Sequence, residues 1–238
     1  MSAHENHLLS SLKPSDFALL ERHLEPMPLT LRLVFEHPNK PVERICFPHS
    51  GFLSVVATAE RDRKIEVGII GQDGMSGLSV VHGTDRSPAE TFVQMTGTGS
   101  TISADVLRDA MQRSPSMHRC FLLYAQAFAI QASYTALSNG RARVHQRLAR
   151  WVLMAHDRTI GDDLALTHEF LSLMLGVRRA GVTVALQALE KQRLTGGTRG
   201  IIRVIDRKGL ERLADGFYGI SDTEQSRLTG WKGMRAKR

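Results

Sequence analysis

The sequence predicts an α+β chain with three parts in order: a small barrel of short antiparallel strands, one long helix, and a helical C-terminal region closed by a β-hairpin. Three observations carry that expectation. From about Thr30 to Ser103, short runs of β-formers alternate with turn residues, the texture of a small antiparallel sandwich or barrel. Between Cys120 and Leu137, apolar residues recur at alternating steps of three and four, which reads as a helix with a continuous seam. From Leu166 to Leu194, "LTHEFLSLMLGVRRAGVTVALQALEKQRL" shows two helical patterns pinched at one glycine, Gly176.

Length and charge narrow the class. The 238 residues accommodate one large or two modest domains, and the 42% hydrophobic content is ordinary for a globular chain. A net charge of +7 and a pI of 9.8 favour an anionic partner, whether nucleic acid, an acidic membrane or an acidic ligand, over a protein that is merely basic. The opening "MSAHENHLLS" has no basic start and no long apolar core, so no secretory signal is expected. The most apolar run, "CFLLYAQAFAIQASYTAL", carries Gln126 and Gln131 and falls short of the ~20 apolar residues that span a bilayer. A cytoplasmic protein without a membrane partner fits best. The only cysteines, Cys46 and Cys120, sit in unlike segments, which argues against a disulfide scaffold and against a cysteine-held metal or iron–sulfur cluster.

Element by element, Pro14-Ser15-Asp16 reads as a helix start, with Phe17, Leu20 and Leu24 on one face. Strand breaks fall at "HPNKP", "HSG", "ERDRK" and "GQDG", and "ETFVQMTGTGSTIS" ends the series. In the long helix, Phe121, Tyr124 and Phe128 form a second apolar line beside the seam of Cys120, Leu123, Ala127, Ile130, Tyr134 and Leu137. One line suits the chain's own barrel; the seam suits a second copy, giving a homodimer, unless both lines are simply core. Asn139-Gly140 is a helix-stop signal and marks the expected domain boundary. The expected divisions are therefore 1–115 for the barrel, 116–139 for the dimerisation helix and 140–238 for the C-terminal domain. Val144, Leu148, Trp151, Val152 and Ala155 outline the buried face of the next helix.

The pinched stretch carries the most chemistry. Thr167 is a candidate N-cap, with Glu169 in the first turn where the helix dipole favours an acid. Leu171 and Leu175 mark a buried face, Ser172 is small where a second helix must approach, and Gly176 permits a turn with positive φ. The second helix should bury Val182, Ala185, Leu186 and Leu189, leaving Arg178, Arg179, Thr183 and Gln187 outward. These are helix-turn-helix spacings, although an ordinary amphipathic hairpin of helices shares them. The "GGTRG" turn before "IIRVI" adds a hairpin, and helix-turn-helix plus hairpin is a winged helix. An arginine fork suits the O6 and N7 acceptors of guanine or a phosphate, and Arg199 at the wing tip is placed for the phosphate backbone. Thr167, His168, Arg178, Arg179, Ala180, Thr183, Gln187 and Arg199 are the candidate DNA-contacting residues.

Over nearly its whole length the chain resembles the cyclic-AMP receptor protein and fumarate-nitrate regulator (CRP/FNR) superfamily of bacterial transcription factors. The likeness rests on the order of elements, on "LTHEFLSLMLGVRRAGVTVALQALEKQRL", and on "FPHSGFLSVV" followed by "IEVGIIGQDGMSG". It implies a cupin-like double-stranded β-helix as sensor domain, a homodimer on an inverted-repeat operator in double-stranded DNA, and RNA polymerase as a further partner. Arg179 matches a family arginine that reads guanine. Ala180 stands where a glutamate often accepts from cytosine, and Val184 where a further arginine falls, so the implied operator differs from the family's best-known one. Gly181 in mid-helix is another departure, costing about 1 kcal/mol relative to alanine. Nucleotide-binding members join a Gly-Glu pair to a later Arg-Ser pair. This chain keeps Arg86-Ser87 but has Gly74-Met75 or Ser76-Gly77 where the first pair belongs. Glu66, Arg86 and Ser87 are the candidate effector site, for a cyclic nucleotide or another small anion, with the cofactor itself left unknown.

No catalytic constellation is evident. The ten histidines are scattered with no His-x-His, and neither a Gly-x-Ser-x-Gly elbow nor a Walker A loop occurs. The expected function is a sequence-specific DNA-binding regulator, not an enzyme. The alternative is a small-anion sensor that acts through a protein partner.

Overall fold

The computed structural model describes residues 6–60, 63–198 and 200–231. Two short helices open the chain. Asn6 caps α1 (His7–Ser10), its Oδ1 accepting from the Leu9 N–H at 3.1 Å. Pro14 begins α2 (Pro14–Glu21), where a missing N–H costs nothing. Phe17 and Leu20 are buried and Leu24 packs beside them, as their spacing requires.

Seven strands follow: β1 (Glu25–Leu29), β2 (Val34–Glu36), β3 (Arg44–Pro48), β4 (Phe52–Ala59), β5 (Arg63–Ile70), then, after the short α3 (Leu78–Val81), β6 (Glu90–Met95) and β7 (Gly97–Ser103). They form two antiparallel sheets, β1-β7-β3 and β2-β6-β4-β5. The "HPNKP", "HSG" and "GQDG" turns fall between elements as expected. The run Phe52 to Val56 in β4 is buried without alternation, and the two-residue period of a strand explains it. Leu53 and Val55 join one cluster inside the barrel, with Ile70 and Val93, while Phe52 and Val56 join a different cluster with the C-terminal domain, as do Ile69 and Phe92. The larger sheet is thus covered on both faces.

α4 (Ala104–Arg113) leads to α5 (Pro115–Arg141), capped by Ser114, whose Oγ accepts from the Met117 N–H at 3.1 Å. By length and composition α5 meets the measure of a bilayer-crossing helix, with a mean hydropathy of 1.2. Met117, Phe121, Tyr124 and Ala125 nonetheless pack into the barrel-side core. Gly74 makes that approach possible: a Cβ there would lie 2.1 Å from the Tyr124 ring. Further along, the Gln131 side-chain carbonyl accepts from the Ile69 N–H at 2.7 Å, so a helix side chain satisfies a strand amide. The helix does not stop at Asn139-Gly140. It runs to Arg141, and the break comes where Ala142 and Arg143 turn extended. Glycine weakens a helix but does not end one that packing supports.

The C-terminal domain contains α6 (Val144–His156), β8 (Asp163–Ala165), α7 (His168–Leu175), α8 (Arg179–Lys191), β9 (Thr195–Thr198), β10 (Ile201–Val204), α9 (Arg207–Leu213) and α10 (Ile220–Thr229). β8 adds a third strand to the expected hairpin, in the order β8-β10-β9, and α10 returns to pack on α5. A buried knot ties the domains. The Arg158 guanidinium meets the Asp73 carboxylate of the "GQDG" turn at 2.7 Å, and Gln225 of α10 donates to the same carboxylate at 2.5 Å. Trp231 lies under the guanidinium, 5.0 Å from its ring centroid. Burial opposes charging Arg158, but Asp73 and Asp222 outweigh it and hold the group above its ordinary range.

Candidate nucleic-acid interface

The interface is built on α7 and α8. Thr167 caps α7, its Oγ1 accepting from the Phe170 N–H at 3.3 Å, and Glu169 sits in the first turn. Gly176 ends the helix at φ 58°, in the left-handed region. Its neighbour Val177 donates its N–H to the Ser172 carbonyl at 3.1 Å, and the Ser172 hydroxyl donates to the Val177 carbonyl, which fixes the turn. α8 then buries Val182, Ala185, Leu186 and Leu189 against Leu171 and Leu175.

Arg178 is the N-cap of α8 and Arg179 its first residue. This is an unfavourable place for cations, because the N-terminus is the positive end of the helix dipole; each such misplacement costs about 0.3–1 kcal/mol. Glu169 offsets part of this for Arg179, at 3.4 Å, but both side chains are well exposed, so the pair contributes little. Ala180 and Gln187 are exposed on the same outward side, and Thr183 is half-exposed with its hydroxyl donating to the Arg179 carbonyl at 3.1 Å. Val184 is also outward, at 66% exposure. Between α8 and the β9–β10 hairpin runs a cleft of about 600 Å³, whose lining includes Thr167, His168, Glu169, Arg179, Gly197 and Thr198. Arg199, the expected wing-tip contact, lies outside the described residues.

The barrel fixes how this face is presented. Phe170 of α7 stacks on Phe92 of β6 with centroids 6.5 Å apart, and the Arg32 guanidinium lies 5.7 Å over the Phe170 ring while pairing with Glu169 at 3.0 Å. Deeper in, Trp151 of α6 donates its Nε1–H to Glu66 of β5 at 2.6 Å, and Ser54 donates to the other carboxylate oxygen at 2.6 Å. Burial pushes the Glu66 carboxyl up to about 7, against the opposing effect of those two hydrogen bonds and of Arg150. Burial likewise lowers Arg150 to about 10.

Glu66 is thus engaged in the contact between the barrel and α6. Arg86, its expected partner in an effector site, is exposed and forks onto the neighbouring Asp85 at 2.8 and 2.9 Å, while the Ser87 hydroxyl accepts from the Ala89 N–H at 3.1 Å. Glu66 and the Arg86-Ser87 pair have no common partner among these bonds. Elsewhere in the barrel, buried Glu36 accepts from the Gly77 N–H at 2.9 Å, and its carboxyl is held above its usual range by burial. Among the described residues no cluster of three His, Cys, Asp or Glu side chains suits a metal.

Along α5 the expected seam is unevenly available. Ala127 is buried within the single chain, Cys120, Leu123, Ile130 and Tyr134 are half-buried, and Leu137 is 46% exposed. Leu122, one position from the seam, is 41% exposed. Both α10 and the barrel pack on α5.

Residues 146–213 match the model of the Crp-like helix-turn-helix domain family. No curated protein matches the chain. Among solved structures, a crp/fnr-family transcriptional regulator from Eubacterium rectale superposes with a TM-score of 0.67 at 18% identity, covering 87% of this chain and 97% of that one. FixK2 from Bradyrhizobium japonicum gives 0.66 at 17% identity, covering 80% and 96%. The c-di-GMP responsive global regulator CLP of Xanthomonas campestris gives 0.63 at 16% identity, covering 81% and 99%.

Proposed function

We propose that this chain, a DNA-binding transcription regulator with a Crp-like helix-turn-helix domain on the CRP/FNR fold, works as a homodimer on an inverted-repeat operator. Family and fold are those of transcription regulators, not of enzymes. α8 enters the major groove by its N-terminal end. Arg179, with Arg178 beside it, grips guanine acceptors or a phosphate, and Thr183 and Gln187 reach the next base edges. Thr167 and His168 at the start of α7, and Arg199 of the "GGTRG" stretch, hold flanking phosphates. One observation carries this reading: two exposed arginines at the positive end of α8, beside the cleft under the hairpin. That placement is costly to an isolated helix and useful to an anionic partner.

α5 supplies the two-fold contact through its outward apolar residues, Leu122 and Leu137 among them. The barrel controls or stabilises the DNA-competent arrangement through Glu66–Trp151 and Asp73–Arg158, the bonds that join it to α6 and to the turn just after it. Such a regulator acts in the cytoplasm, with RNA polymerase as its further partner. The test is selection of duplexes from a random-sequence pool by the purified protein at near-physiological salt. The expected result is a short inverted repeat with half-site centres about 34 Å apart. Failure to enrich any sequence refutes the proposal.

A further inference from the structure

On the proposed DNA-reading face, the outward surface of α8 is not uniformly polar. Ala180 and Val184 lie one helical turn apart, Gly181 sits between them, and the groove they line continues over Ala188 to Val144 and His145 at the start of α6. Val184 is 66% exposed, among the most exposed of the large hydrophobic side chains. Nothing in the packing of α8 requires it. The buried face of the helix is complete with Val182, Ala185, Leu186 and Leu189, and Val184 points away from that core. A β-branched side chain also lowers helix propensity slightly, so the residue favours neither the helix nor its solubility.

The same stripe lies beside Arg179, Thr183 and Gln187, which carry every hydrogen-bonding group on this side of α8 apart from Arg178 and the last turn. A helix that enters the major groove with Arg179 leading therefore lays an apolar strip against the base edges about one turn further in. In the major groove, one base presents an apolar group: thymine, through its C5-methyl. The rise of 1.5 Å per residue puts Val184 roughly 7–8 Å along the axis from Arg179, on the order of two base-pair steps.

Resting on the DNA-binding reading above, we infer that Ala180 and Val184 form a thymine-methyl pocket, which makes Val184 a specificity-determining residue that selects thymine about two base pairs from the guanine gripped by Arg179. The methyl is buried against the Val184 isopropyl group, with Ala180 and Gly181 leaving room for the base edge to approach. A Cβ at Gly181 would meet only Val177, at 3.6 Å, so the gap at this position lies on the outward side rather than in the core.

The experiment uses the full chain and the duplex recovered from a random-sequence pool. Each thymine of the half-site is replaced in turn by deoxyuridine, which removes the methyl and nothing else. At one position per half-site, the exchange weakens wild-type binding about fourfold, and by more than tenfold when made in both halves, from the transfer free energy of one buried methyl-sized group. Val184→Ala, at an exposed position that leaves the core intact, binds the thymine duplex less tightly and loses most of its response to that exchange. Deoxyuridine exchange without effect at every thymine, or an undiminished response in Val184→Ala, overturns the inference while leaving the DNA-binding reading in place. Absence of binding to any duplex overturns both.

Discussion

Glu66→Gln isolates the electrostatics of the contact between barrel and helix α6. The amide keeps an oxygen for the Trp151 Nε1–H and an NH2 for the Ser54 hydroxyl, so the hydrogen bonds at 2.6 Å have replacements of similar shape. What disappears is the ionisable group. The Glu66 carboxyl ionises at about 7 in the folded chain against 4.5 ordinarily, with burial as the largest cause. Between those values the folded protein holds a proton that the unfolded chain has released. Stability therefore falls as pH rises from about 4.5 through about 7, and above that the loss is complete. Its full size is on the order of 3 kcal/mol. Urea unfolding at pH 5, 6, 7 and 8, followed by tryptophan fluorescence, reads this directly. The variant should match the parent near pH 5 and exceed it at pH 8 by up to about 3 kcal/mol, with a flatter profile between. Parallel profiles for the two proteins would refute the assignment of a protonated carboxyl at this contact.

Three other outcomes follow from named contacts. Arg158→Met leaves Asp73 buried without its cation and should cost about 3–5 kcal/mol in urea unfolding, with much of the loss recovered when Asp73→Leu is added. Gly181→Ala should raise stability by about 0.5–1 kcal/mol, because the added methyl meets Val177 at an ordinary 3.6 Å and the helix loses its most flexible residue; thermal melting checks it, and a lower Tm would contradict the geometry. If the proposed homodimer forms through α5, Leu122→Asp combined with Leu137→Asp should convert it to monomer by light scattering, since both project from α5 into solvent in the single chain.

Local patterns are legible in the sequence and long-range ones are not. The helix-turn-helix was legible to the residue, because its cap, glycine and buried positions all lie within one stretch whose spacing is fixed by the 3.6-residue turn. Strand breaks were legible for the same reason: Gly, Pro and Asn mark turns locally. The end of α5 was misplaced by about two residues, because Asn139-Gly140 has low helix propensity yet packing carried the helix on to Arg141. The Glu66–Trp151 bond has no local signal, because the two residues are 85 positions apart. Arg158 has no local signal of its burial either, since Asp73 and Gln225 come from two other parts of the chain. Val184 was visible as a departure from the family arginine, but only its exposure turns that departure into a reading of thymine.

The most direct test of the account is equilibrium binding of the recovered inverted repeat, and of its single-base-pair variants, by the wild-type and Arg179→Ala proteins. Arg179→Ala should bind the parent duplex about 1–3 kcal/mol more weakly and lose discrimination at one base pair of each half-site, while keeping it elsewhere. Unchanged affinity and unchanged selectivity at every position would contradict the claim that α8 reads DNA through the arginines at its N-terminus.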